Sequence, residues 1–182
     1  MEKEYSETIS IPEGISCSYE NRVIACSKDT VTLKRNINAF GVDIKIEKNS
    51  IVIRAERSRK KEIKTVNTIA AHIRNIFRGL NEKFSYTLEV AHVHFPMTLK
   101  QQGDKIIISN FLGEKNPRVA KIMPNTEVEI KGQTVTVSSH DKESAGQTAA
   151  NLEKATYLTK KDRRIFQDGV YITAKPERIY NE

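Results

Sequence analysis

The residues with the most chemistry to offer lie at 142–171, KESAGQTAANLEKATYLTKKDRRIFQDGVY. Lys160, Lys161, Arg163 and Arg164 crowd one short run there, followed at once by Ile165 and Phe166. Forked guanidinium donors and compact ammonium charges in such a run suit phosphate oxygens. A charge run is most often a solvated face, but Phe166, Val170 and Tyr171 imply that this one is held against a folded surface. Upstream, Ser144 and Gln147 have capping-box spacing, so a helix is expected to start at Ser144. The loop feeding it, 138–144, holds His140 and Lys142, and the unpaired amides of a helix N-terminus favour an anion. Gln147, Asn151 and Lys154 lie off the face formed by Ala145, Ala149, Leu152 and Thr156. Gly146, Ala149 and Ala150 are small enough to let the backbone press onto a sheet or a phosphate chain. A second polar loop, NFLGEK at 110–115 and on to Arg118, adds Lys115 and Arg118 to the donors. Its bland alternative is a solvated loop with Phe111 and Leu112 tucked under a sheet.

Other chemistry is missing. No Gly-rich run ends in Gly-Lys-Ser or Gly-Lys-Thr, no G-x-G-x-x-G follows a strand, and G-x-S-x-G is absent. Cys17 and Cys26 fall in β-type runs without an activating neighbour, and are expected to be reduced, packed thiols on adjacent strands. His92 and His94 would share one side of a strand, but no third ligand stands near, so no metal site is expected. The formal charge of +7 favours polyanionic partners without proving one. No apolar run approaches the ~20 residues that span a bilayer, and MEKEYSET lacks the character of a signal peptide. The reading is a cytoplasmic protein with no membrane partner.

The elements that must position these donors follow from periodicity. Short β-type runs at 9–12, 15–19, 22–27 and 30–34 are punctuated by turns at Glu20, Asn21 and Asp29. Residues 42–47 alternate strictly and pair with 51–55 as a hairpin. A basic stretch, 57–64, leads into a helix with the stripe Ile63, Val66, Ala70, Ile73, Phe77 and Leu80, and Gly79 is its expected terminator. The order then repeats. A long strand is expected at 85–95, a hairpin joins 97–100 to 105–109, and another joins 127–130 to 134–137 ahead of the second helix. Ile44, Ile46, Ile51 and Ile53 match Val128, Ile130, Val135 and Val137 at a constant offset of 84. This pattern implies an internal duplication. The fold class is α+β, with two tandem related domains at 1–82 and 83–182, each an antiparallel sheet packed against one helix.

GQTAANLEKAT at 146–156 and DRRIFQDGVY at 162–171, with NFLGEK at 110–115, HFP at 94–96 and IRN at 73–75, carry a family resemblance. The chain resembles the large-subunit ribosomal protein family called L-six, in its archaeal and eukaryotic branch. Bacterial members carry a Lys-Gly-rich tail in place of RRIFQDG, and Leu80 to Lys83 departs from the Val-Thr-containing turn that relatives usually have. The resemblance implies a structural, non-catalytic constituent of the large ribosomal subunit beside the sarcin–ricin loop and the stalk base. It implies large-subunit rRNA and neighbouring ribosomal proteins as partners, with the second domain as the rRNA anchor and no cofactor or small-molecule substrate. The expected RNA-binding residues are His140, Lys142, Gln147, Asn151, Lys154, Lys160, Lys161, Arg163, Arg164, Gln167, Gly169, Lys115 and Arg118. Gln167 and Gly169 would shape the basic arm. The competing readings are a protein-interaction module that docks through sheet edges and an RNA-processing enzyme on the same scaffold.

Overall fold

A computed structural model describes residues 5–177 apart from Lys48, Arg57, Ser58, His94, Lys160 and Arg163. The chain divides into two compact units, Met1–Glu82 and Lys83–Glu182, and each is α+β.

The first unit runs β1 (Tyr5–Ser10), β2 (Ser16–Glu20), β3 (Val23–Lys28), β4 (Val31–Asn36), β5 (Val42–Glu47), β6 (Ser50–Ala55) and α1 (Lys60–Asn81). Its strands form two antiparallel sheets, in the orders β1-β6-β5 and β2-β3-β4. Alternation in β5 and β6 sets Ile44 opposite Ile53 and Ile46 opposite Ile51, which puts apolar side chains on one face. Val66, Ile69, Ala70, Ile73, Ile76, Phe77 and Leu80 of α1 are buried in the same core. Asn21 and Asp29 take left-handed backbone in the turns, a conformation their short polar side chains tolerate. Gly79 does not end α1. It is a buried position inside the helix, which continues to Asn81 until Glu82 turns extended and donates its amide to the Arg78 carbonyl. Cys17 and Cys26 are direct cross-strand partners and free thiols, with their sulfurs 2.6 Å apart.

The second unit runs β7 (Phe84–Ala91), β8 (Thr98–Gln102), β9 (Lys105–Ser109), β10 (Arg118–Lys121), β11 (Glu127–Lys131), β12 (Thr134–Ser139), α2 (Lys142–Ala155) and β13 (Gly169–Ala174). A four-stranded antiparallel sheet, β11-β12-β7-β13, stands beside a three-stranded one, β10-β9-β8. Here Val128 faces Val137 and Ile130 faces Val135, so the hairpin repeats the register of the first unit at the same offset. Leu88, Val90, Val135 and Val137 meet Ala145, Ala149 and Leu152 of α2, with Ile106, Ile108 and Phe111 closing the core. Fully burying each aliphatic side chain is worth about 1.5–3 kcal/mol, which holds α2 on the sheet.

Two expectations change here. The strand at 85–95 stops at Ala91, because the Val93 amide leaves the ladder and bonds the Asp168 carboxylate at 3.1 Å. The end of the basic arm is itself a strand: β13 lies along β7, with Val170 buried opposite Val90 and Tyr171 exposed opposite Glu89. A six-residue edge strand with one irregular step near its end has too little alternation to stand out from a charged arm.

Candidate nucleic-acid interface

The start of α2 differs from the capping-box expectation. Asp141 is the N-cap, and its carboxylate accepts the amides of Glu143 at 3.1 Å and Ser144 at 3.2 Å. Ser144 lies inside the first turn, where its hydroxyl donates to the same carboxylate at 2.6 Å, and the Gln147 amide reaches Asn151 instead. An Asp at the cap position satisfies the orphan amides with a full negative charge and so outcompetes a hydroxyl three residues on. The helix therefore does not offer those amides to an external phosphate. What this end offers instead is side chains. Lys142 is half-buried with its ammonium 5.7 Å from the Phe84 ring centroid, and His140 lies near the Glu127 carboxylate. Lys83 bonds that carboxylate through both oxygens at 2.7 and 2.8 Å and, with a smaller contribution from the His140 field, holds it below the ordinary range.

Gly146 meets the sheet, not a phosphate chain. A Cβ built there would stand 2.9 Å from the Tyr86 hydroxyl, so glycine is what lets α2 lie this close to β7. Farther along the exposed side, Gln147, Asn151 and Lys154 follow one another at helical spacing, and the Asn151 amide donates to the Lys121 carbonyl at 2.9 Å.

At the other end of α2, Arg118 is consumed by the fold. Its guanidinium forks onto Glu114 at 2.8 and 2.7 Å and donates to the carbonyls of Ala155 at 3.0 Å and Tyr157 at 3.1 Å. It also lies 4.2 Å from the Phe111 ring centroid. The last carbonyls of a helix lack intrahelical partners, and Arg118 supplies one to Ala155 and another to Tyr157 just past the C-cap Thr156. Phe111 is buried and Leu112 packs against the core, so the 110–115 loop is tucked under, with Lys115 exposed at its tip. Chiefly through its bonds to Arg118, and also through the field of Lys161, Glu114 is held below the usual carboxylate range.

The described residues of the arm are folded. Asp162 caps a turn, accepting the Arg164 amide at 2.9 Å on its side chain and the Phe166 amide at 3.0 Å on its carbonyl. Phe166 packs on the core, and the Lys161 ammonium sits 4.7 Å from its ring centroid. Lys161, Arg164 and Gln167 are exposed, whereas Gly169 is buried. Lys160 and Arg163 lie outside the described residues. The candidates thus do not converge on one point. They line both ends and the exposed stripe of a 14-residue helix about 20 Å long, with the arm beside its C-terminal end. Asp168 and Tyr171 lie on the same segment and were not among the expected contacts. Asp168 is 3% exposed and ties the arm to residue 93, and its second oxygen is buried without a hydrogen-bond partner among the described residues. Only pairing in space reveals that tie.

Among the described residues no three His, Cys, Asp or Glu side chains cluster as metal ligands, and no helix is long and apolar enough to cross a membrane. The architecture and site define an α+β protein of two compact units with a cationic segment beside the second helix. The family model for ribosomal protein L6 matches residues 95–169. The chain is 42% identical over 175 residues to large ribosomal subunit protein uL6 of Methanosarcina mazei, covering 96% of this chain and 99% of that one. It is 40% identical to the Haloarcula marismortui uL6, over 93% of this chain and 96% of that one. The Aeropyrum pernix uL6 is 42% identical over 91% and 92% of the two chains. The chain belongs to the ribosomal protein L6 family, in its archaeal branch.

Proposed function

We propose that this protein is a structural constituent of the large ribosomal subunit, held on large-subunit rRNA near the sarcin–ricin loop and the stalk base. There it braces the region that receives translation factors, beside neighbouring ribosomal proteins, in the cytoplasm. Its relatives bear the name large ribosomal subunit protein uL6, and each matches nearly the whole chain. The second unit is the rRNA anchor. The observation that carries this reading is the arm: Lys161 and Arg164 are exposed on a segment clamped by the Asp162 turn, by Phe166 and by β13.

Cations on a clamped segment lose little conformational freedom on binding, so more of their attraction for phosphate appears as affinity. Lys115, Lys142, Lys154, Lys160, Lys161, Arg163 and Arg164 contact phosphates. The polar side chains of His140, Gln147, Asn151 and Gln167 face sugars and 2′-hydroxyls, through which RNA shape is read. Gly169 shapes the arm, and Arg118 positions the loop and helix end that carry the contacts.

The test is binding of a large-subunit rRNA fragment across a salt series. Lys161→Ala with Arg164→Ala is expected to weaken binding and to make the salt dependence shallower by roughly one to two in log–log slope. Unchanged affinity and slope overturn the arm as an RNA contact. Native protein that never sediments with large ribosomal subunits overturns the whole reading.

A further inference from the structure

We infer that the cleft beside Tyr171 is a pocket for a single unpaired RNA base, one bearing an exocyclic amino group in preference to uracil. The inference rests on the protein being rRNA-bound and names what one part of that surface takes.

Tyr171 stands on the edge strand β13, directly across from Glu89 of β7, which in turn faces Thr134 of β12. The ring is 43% exposed yet not free to turn. Its hydroxyl donates to the Gln167 carbonyl at 3.0 Å, and the ring lies over Gly169, where any Cβ would meet ring atoms at 3.2 Å. A side chain at 169 would press on this ring by a few tenths of an ångström, and the bonded hydroxyl sets the ring as an aromatic platform before any ligand arrives. Stacking on such a platform is how unpaired bases are commonly held.

The cleft beside the ring measures about 620 Å³ and is bordered by Glu89, His92, Gln133 and Gln167. Its walls are tied down: the Val90 amide donates to the Gln133 carbonyl at 2.7 Å, and buried Asp168 holds the Val93 amide at 3.1 Å. The side-chain amides of Gln133 and Gln167 make only long contacts, 3.4 Å to His92 and 3.4 Å to the Arg164 carbonyl, so a ligand displaces little.

The charge pattern selects a base over a phosphate. Glu89 accepts hydrogen bonds and cannot donate, so it repels phosphate and welcomes amino and imino N–H groups. Uracil offers one imino N–H between two carbonyls, and those carbonyls would oppose the carboxylate oxygens. Adenine, cytosine and guanine each present an amino group instead. The flanking phosphates have cations to meet: Tyr171 also borders a smaller cleft lined by Lys154 and Tyr157, and exposed Arg164 precedes Gln167 on the arm. An acidic peptide would meet the same Glu89 charge with no compensating amino group.

The experiment titrates the full-length protein into short single-stranded oligoribonucleotides that carry a central fluorescent adenine analogue, alongside versions with adenine or uracil there. Binding is expected to quench the analogue, and the adenine version is expected to bind more tightly than the uracil version. Tyr171→Leu removes the quenching and weakens binding on the order of tenfold at unchanged salt slope. Tyr171→Phe keeps the ring and most of the quenching, and Glu89→Gln erases the discrimination against uracil. Circular dichroism and thermal unfolding establish that each variant is folded. Salt-dependent binding without quenching, or quenching that survives Tyr171→Leu, overturns the pocket alone. Absence of binding to any large-subunit rRNA fragment overturns both the pocket and the rRNA reading beneath it.

Discussion

Replacing Arg118 with Ala separates a structural role from an RNA contact. The guanidinium makes four hydrogen bonds inside the second unit and stacks on Phe111. Its two bonds to the Ala155 and Tyr157 carbonyls are charge-assisted, a class worth about 1.5–3 kcal/mol each when well buried. The side chain is 26% exposed and Glu114 is 41% exposed, so the ion pair adds only about 0–1 kcal/mol. Discounting the carbonyl bonds for the same exposure leaves a net loss of about 2 kcal/mol. In a unit of this size that lowers the unfolding midpoint by roughly 10 °C. Arg118→Lys recovers less than half, since one ammonium cannot fork onto Glu114 and reach both carbonyls. The pH dependence follows from Glu114, whose carboxyl is held below its usual range chiefly by the bonds to Arg118. A depressed carboxyl stabilises the fold above its unfolded pKa and loses that contribution as pH falls through the folded value. The gap between wild type and Arg118→Ala must therefore narrow on acidification through and below the carboxylate range. Thermal or urea unfolding measures this, with rRNA binding recorded on the same samples. Unchanged unfolding, together with weaker binding and a shallower salt slope, would refute the structural role and make Arg118 a phosphate contact.

Two further outcomes follow from contacts already described. Asp141→Ala should cost about 1 kcal/mol of unfolding free energy, and Ser144→Ala distinctly less, because the Ser144 hydroxyl bonds only the Asp141 carboxylate. The reverse order in urea unfolding would restore the capping box. In the first unit, the hydrogen bond shared by the Cys17 and Cys26 sulfurs holds the Cys17 pKa below the ordinary thiol range, while that bond and burial push Cys26 up. As pH rises, Cys17 should therefore be alkylated first, from below the usual thiol pKa, with Cys26 protected until the protein unfolds. Mass mapping that finds Cys26 labelled first, or both at equal rates, contradicts this.

Much of the fold was legible along the chain because its signals are local. Strict alternation in β5 and β6 sets which face is apolar, and the offset of 84 to β11 and β12 reappears as identical cross-strand pairing. The stripe from Val66 to Leu80 likewise needs only helical spacing to find the core. The end of a helix is less local. Gly79 reads as a terminator, yet α1 runs through it, because burial on the helix's apolar side outweighs glycine's modest helix penalty.

The site was legible as composition and not as geometry. Residue types at 160–171 announce a cationic, aromatic segment, but not that Lys161 lies against Phe166 or that 169–174 closes the sheet. Spacing offered Ser144 as the cap, and only the fold showed that Asp141 takes the amides first. Arg118 counts as a donor on the page and becomes a staple once the 110–118 segment reaches the end of α2, thirty-seven positions away in the chain. Periodicity and charge depend on neighbours in sequence, and they determined the α+β elements, the repeat and the basic character. Which donors face outward depends on groups far apart in sequence meeting in space, and that was decided by tertiary packing alone.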